Sequence, residues 1–293
     1  MSNQENVMKS WGKFSFPELA IKEKYDYSDS ITHDVFVKGE GKPVIILHEL
    51  PGMTPYCLRF AESVVGSGFT VYLPLFFGEA GKTDLAGNSL HICVHREFKI
   101  WSKNESGKIT DWLKILSLHV SAQHDNSKVG AIGMCLTGGF ALVMMLDYQD
   151  SPSPIAAPVL SQPSLPIASF PLPIGNIPLP GDKRALGVSH DAFKTTKQWA
   201  TGQQNNNPDF KIPAFRFEED SLCPKERFER LNKELGNTIN LRTITKQERK
   251  QAGIPKNKTH SVLTGYSGDL SISDPTEQAR KEVFKYLRQQ LPS

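Results

Sequence analysis

Two rhythms of apolar residues alternate along this chain. In "PVIILHE" (43–49), "FTVYLPLF" (69–76), "KVGAIGM" (128–134) and "IAAPVLS" (155–161), nearly every position is apolar. Such short runs read as strands buried on both faces, while "HDVFVKG" (33–39) reads as an edge strand. Between them the spacing widens to the helical period. "PYCLRFAESVVGSG" (55–68) predicts a helix closed by glycine, and residues 103–123 predict an amphipathic helix carrying Ile109, Trp112, Leu113, Ile115, Leu116 and Val120. "GGFALVMMLDY" (138–148) predicts the helix that follows the third buried strand.

From Gln162 to Asp209 the rhythm is lost. "QPSLPIASFPLPIGNIPLPGD" (162–182) carries proline at intervals too short for helix or interior strand, and a short helix, "DAFKTTKQWATGQ" (191–203), follows. Strand "AFRFE", helix "PKERFERLNKEL", strand "INLRTIT", a basic loop and helix "TEQARKEVFKYLRQQL" complete the chain. Strands alternating with helices imply an α/β fold built on a doubly wound, mostly parallel sheet. The expected organisation is a single domain over 1–293, with residues 1–30 as a lead-in (a short helix or hairpin arm) and 162–209 as a proline-rich, lid-like covering insertion.

Composition narrows the class. A hydrophobic share of 39% and a charged share of 22% suit an ordinary soluble globular protein, and a scattered net charge of +3 leaves no basic footprint for nucleic acid. No apolar run approaches the roughly 18 residues of a membrane span, and the first residues lack a signal-peptide core, so the expected location is cytoplasmic. Cys57, Cys93, Cys135 and Cys223 form no Cys-x-x-Cys pair or Cys/His cluster, which speaks against structural zinc and suits a reducing compartment. No cofactor or metal is expected. Oligomeric state is not encoded in any of these patterns.

One stretch carries chemistry. In "AIGMCLTGGFAL" (131–142) a strand runs into Gly133, a cysteine, and two glycines that open a helix. This is the order of a nucleophile elbow, in which a sharp turn lifts one side chain above the strand ends and aims the next backbone N–H at a developing oxyanion. A helix N-terminus behind Cys135 would favour its thiolate. A buried free cysteine is the plainer alternative. A nucleophile needs a base, and the base an orienting acid. Of the two histidines beyond Cys135, His190 precedes any strand able to present an acid, whereas His260 follows the last strand. After the preceding strand, "AFRFEEDSLCP" offers Glu218, Glu219 and Asp220. A solvated histidine and a surface acidic patch are the alternatives.

These motifs together resemble the dienelactone hydrolase family of α/β-hydrolases. "GMCLTGG" is similar to its Gly-x-Cys-x-Gly-Gly elbow, "LHELPGM" to its glutamate loop, "DSLCP" to its aspartate loop and "THS" to its His-Ser, from about Lys42 to His260. The resemblance implies a Cys135–His260–Asp220 triad and an oxyanion hole from the amides of Leu50 and Leu136. It also implies that Glu49 keeps the resting thiol neutral and takes its proton when substrate binds; a structural partnership with Arg59 or His48 is the alternative. Thr137 stands where glycine is expected, and Thr264 stands where enzymes for chlorocatechol-derived lactones carry an arginine. Arg96 and Arg59 are the candidate cations for substrate, although Arg96 reads equally as a surface residue. The expected function is hydrolysis of a small ester, lactone or thioester through an acyl-enzyme. The alternatives are a hydrolase-fold protein that binds a small molecule without turning it over, and a protein with a redox-sensitive thiol.

Overall fold

The computed structural model describes residues 8–83, 108–164, 183–184, 186, 188–265 and 274–292. Eight strands form one sheet: β1 (Gly12–Phe16), β2 (His33–Lys38), β3 (Lys42–Leu47), β4 (Phe69–Pro74), β5 (Val129–Met134), β6 (Ile155–Ser161), β7 (Ile212–Phe217) and β8 (Ile239–Ile244). Their order across the sheet is β1-β2-β4-β3-β5-β6-β7-β8. β1 pairs antiparallel with β2, and β2 antiparallel with β4; from β4 onward every pair is parallel. β3, β4 and β5 sit mid-sheet with nearly all residues buried, as their unbroken apolar runs require.

Strand β2 is not the edge. The lead-in supplies β1, which lies outside it as the arm of a hairpin-like pair. Phe16 at its end is buried against Trp112, ring centroids 5.5 Å apart, and the Trp112 indole N–H donates to the Phe16 carbonyl at 3.1 Å. An aromatic anchor of this kind offsets the entropy of ordering a terminal arm.

Eight helices accompany the sheet among the described residues: α1 (Leu19–Lys24), α2 (Pro55–Val65), α3 (Lys108–Ala122), α4 (Gly138–Val143), α5 (His190–Asn206), α6 (Lys225–Leu235), α7 (Lys246–Gln251) and α8 (Pro275–Gln290). Thr54 caps α2 by accepting from the Cys57 N–H, with Pro55 at the first helical position. α3 covers the part of the 103–123 segment that is described. α4 is shorter than its sequence promises, because the Ser153 hydroxyl takes the Met144 carbonyl at 2.6 Å and the chain turns there. α5 begins at a Ser189 cap and packs against α4 and α6. Residues 165–182, the proline-rich part of the expected covering insertion, lie outside the described residues. No helix among the described residues is long and apolar enough to cross a membrane.

Candidate active site

The chain leaves β5 at Met134 and reverses through a 3-10 turn, Cys135–Thr137, directly into α4. Cys135 sits in the left-handed region at φ +55°, which costs a non-glycine residue of order 1–3 kcal/mol and persists only where the surroundings enforce it. Those surroundings are close-packed. A Cβ on Gly133 would stand 2.3 Å from the Thr137 carbonyl oxygen; one on Gly138 would stand 2.7 Å from Pro163, and one on Gly139 would stand 2.2 Å from the Leu186 carbonyl oxygen. Thr137, the departure from glycine, has a use here. Its hydroxyl accepts from the Met134 N–H at 2.9 Å and has two carbonyls in reach, Leu47 at 3.0 Å and Met134 at 2.8 Å. The hydroxyl therefore closes the elbow on itself and faces the end of β3.

Ser164 faces the cysteine from the chain leaving β6. Its N–H donates to the Cys135 carbonyl at 2.8 Å, and its hydroxyl and the Cys135 Sγ are hydrogen-bonded at 3.0 Å.

Of the three acids after β7, the structure brings one to the histidine. Glu218 is exposed and accepts from the Lys246 N–H, and Glu219 pairs with Arg249 at 2.6 Å. Asp220 is buried, and its Oδ2 lies 2.8 Å from His260 Nδ1. Its Oδ1 accepts from the N–H groups of Leu222 (2.9 Å) and Cys223 (3.1 Å), which fixes the carboxylate plane. Two buried arginines hold the loop from below. Arg216 donates to the carbonyls of Cys223 and Glu218, and Arg227 to those of Leu222 and Pro163. With Nδ1 committed to Asp220, His260 Nε2 is buried and has no hydrogen-bond partner. Burial opposes the imidazolium, but the charges of Cys135 and Asp220 outweigh it and hold the His260 pKa well above its ordinary value.

Glu49 closes the triangle. One of its oxygens, Cys135 Sγ and a His260 ring nitrogen lie within 4.8 Å of one another. Its carboxylate is bonded by neither Arg59 nor the His48 ring, which reaches only the Glu49 backbone carbonyl. The Gln162 amide donates to it at 2.9 Å, and the Thr264 hydroxyl bonds its other oxygen. Burial raises its pKa, and the His260 charge and the two neutral donors offset part of that rise. Gln162, fully buried, also accepts from the Ser161 hydroxyl and from the Val262 N–H at 3.3 Å, joining the end of β6 to the histidine loop. Thr264, at the position of the missing arginine, thus holds the glutamate.

His48 faces away from this group. The Phe76 N–H donates to its Nε2 at 3.0 Å, so Nδ1 carries the proton and donates to the Glu49 carbonyl at 3.2 Å. Burial lowers its pKa to about 4. Leu50 and Leu136 are buried, one opening the loop after β3 and the other inside the elbow turn. Arg59 lies on the exposed face of α2, its guanidinium 4.6 Å from the centre of the Tyr56 ring. Arg96 and Cys93 lie outside the described residues.

A mostly parallel sheet with a strand–turn–helix elbow, and loops after its last two strands that carry an acid and a histidine, is the architecture of the α/β-hydrolase fold. Residues 34–151, which include Glu49 and Cys135 but not Asp220 or His260, match the model of the dienelactone hydrolase family, and the match supports an ester or lactone hydrolase. No curated protein sequence matches the chain significantly. Among solved structures, a cold-adapted esterase from an Arctic intertidal metagenomic library is similar at 15% identity, covering 96% of this chain and 95% of its own, with a TM-score of 0.53. A dienelactone hydrolase-like promiscuous phosphotriesterase from metagenomic libraries is similar at 16% identity, covering 89% and 94%, with a TM-score of 0.50. At these identities the likeness is one of fold.

Proposed function

We propose that this protein hydrolyses a small ester, lactone or thioester through a Cys135–His260–Asp220 triad and a thioester acyl-enzyme. The observation that carries the reading is the 2.8 Å Asp220–His260 contact, which leaves a buried, unpartnered imidazole nitrogen beside the cysteine. In the forward step His260 Nε2 takes the thiol proton as Sγ attacks the acyl carbon, and the imidazolium returns it to the leaving alcohol or thiol. Water then attacks the thioester with His260 as base. The backbone N–H groups of Leu50 and Leu136 receive the oxyanion, the role open to amides at a helix start and in the adjoining loop.

Glu49 is a second acceptor for the thiol proton. Its raised pKa and its position within 4.8 Å of Sγ support this role. Ser164 holds the resting thiol by its 3.0 Å contact. In this reading the chain works as one hydrolase unit, needs no cofactor, and takes a small-molecule substrate; its setting is the cytoplasm, where the thiol stays reduced.

Rapid quenching during turnover of an activated aryl ester, followed by peptide mass spectrometry, tests the proposal. The expected result is the substrate's acyl mass on the peptide containing Cys135, absent in Cys135→Ala. Turnover that survives Cys135→Ala unchanged refutes it.

A further inference from the structure

The three side chains that meet at the elbow form a set with a second chemistry. A thiol, an imidazole and a carboxylate with one donor atom each inside 4.8 Å are ligands of the kind that hold a borderline-soft divalent cation. Tetrahedral zinc, with bonds of about 2.0–2.3 Å, sets its ligand atoms about 3.3–3.8 Å apart. Closing from 4.8 Å to that spacing takes about 1 Å of side-chain movement.

The surroundings are those of a metal site as well. His260 turns Nε2 into the site because Nδ1 is committed to Asp220; a carboxylate behind a metal-binding histidine orients the ring in this way. Glu49 is oriented by Gln162 and Thr264, and Cys135 by the strained elbow and Ser164. Two anionic ligands would neutralise a dication in a buried setting, where unpaired charge is costly. A fourth position stays open for water. Among the described residues this is the one group of three or more such side chains that meets the spacing.

We infer that Cys135, His260 and Glu49 form a binding site for zinc, and that zinc occupies the site in competition with substrate and blocks it reversibly. Binding is a ligand exchange without redox change. Any proton held on Sγ, on Nε2 or on the Glu49 carboxyl leaves to solvent as the Zn–S, Zn–N and Zn–O bonds form, so proton release accompanies occupancy. The inference uses the same side chains as the proposed hydrolysis but not their activity, so binding can be read whether or not an ester is cleaved.

The probes are Co²⁺ and Zn²⁺ added alone to the full chain. Co²⁺ should produce a thiolate-to-cobalt charge-transfer band with the intense visible bands of tetrahedral cobalt, at one equivalent per chain, and Zn²⁺ should abolish both. Cys135→Ser should remove the charge-transfer band, and Glu49→Gln and His260→Asn should each weaken binding at least tenfold. Cys57→Ala, which alters a buried thiol outside the set, should leave the spectrum intact. Proton release measured in weak buffer should track occupancy in the wild-type chain, a readout that needs no variant. A charge-transfer band that persists in Cys135→Ser, or binding unchanged by both Glu49→Gln and His260→Asn, overturns the site. If an ester is cleaved, inhibition by Zn²⁺ should be competitive and fully reversed by a chelator; uncompetitive inhibition would overturn the claim that zinc and substrate share the site.

Discussion

Replacing His48 with glutamine isolates one buried proton site. The amide can accept from the Phe76 N–H and donate to the Glu49 carbonyl as the imidazole does, but it does not titrate. In the folded chain the His48 pKa is lowered from 6.5 to about 4 by complete burial. Between those values the unfolded chain binds a proton that the folded chain refuses, so stability falls as the pH falls through the window. The contribution is fully present above about pH 6.5 and lost by about pH 4, at up to about 1.4 kcal/mol for each pH unit and roughly 3 kcal/mol in all. Urea unfolding of the wild type and His48→Gln, run at intervals from about pH 7 to pH 4, measures it. The two stability curves should converge or cross toward acid, with the wild type losing about 3 kcal/mol relative to the variant. Parallel curves would mean that His48 does not titrate between the folded and unfolded states, and the assignment of a buried neutral imidazole would fail.

Three further outcomes follow from the site. Burial pushes the Cys57 and Cys223 thiols far up, so limiting iodoacetamide should label Cys135 first among the three described cysteines, as peptide mass spectrometry would reveal. In Asp220→Asn, the Leu222 and Cys223 amides keep the side-chain oxygen at the Oδ1 position and turn its NH₂ toward His260 Nδ1. The imidazole must then hold its proton on Nε2, so kcat should fall by orders of magnitude while KM changes little, whereas Glu219→Gln leaves both near wild type; comparable losses in the two variants would discredit the loop assignment. Gly139→Ala drives a Cβ to within 2.2 Å of the Leu186 carbonyl, and thermal unfolding should show a loss of about 1–3 kcal/mol.

The elbow was legible because its constraints are local. Glycine at 133, 138 and 139 is forced by backbone and neighbouring side chains within a few ångströms, and those positions can be read in a row. His260 was legible by elimination and strand order. From residue types and strand order alone the acid was legible only to a run of three, and it took the family resemblance of "DSLCP" to single out Asp220; the burial and two backbone amides that set it apart from Glu218 and Glu219 leave no mark in "EEDS". Gln162, Ser164 and Thr264 were missed as site residues for a related reason. Each acts through a partner far along the chain, Glu49 or Cys135, and nothing nearby in sequence marks a polar residue as buried. Helix α7 differs. Its capping box, Thr245 with Glu248, stands in plain view within what reads as a basic loop, and only the charge of the segment hides it. The lead-in strand β1 escaped because its one decisive contact, Phe16 on Trp112, joins residues 96 positions apart.

The arginines beneath the Asp220 loop grip main-chain oxygens, at Glu218, Leu222, Cys223 and Pro163, and in doing so they separate the loop's shape from its surface chemistry. Ser221 is exposed and Leu222 half-buried, and neither contributes a side chain to that grip. Mutational drift at these two positions can therefore recolour the ground beside the histidine, in charge, bulk or polarity, while Asp220 keeps its aim. The same division makes 221 and 222 suitable positions for a saturation library seeking new substrates, since variation there is insulated from the scaffold that would otherwise collapse under it.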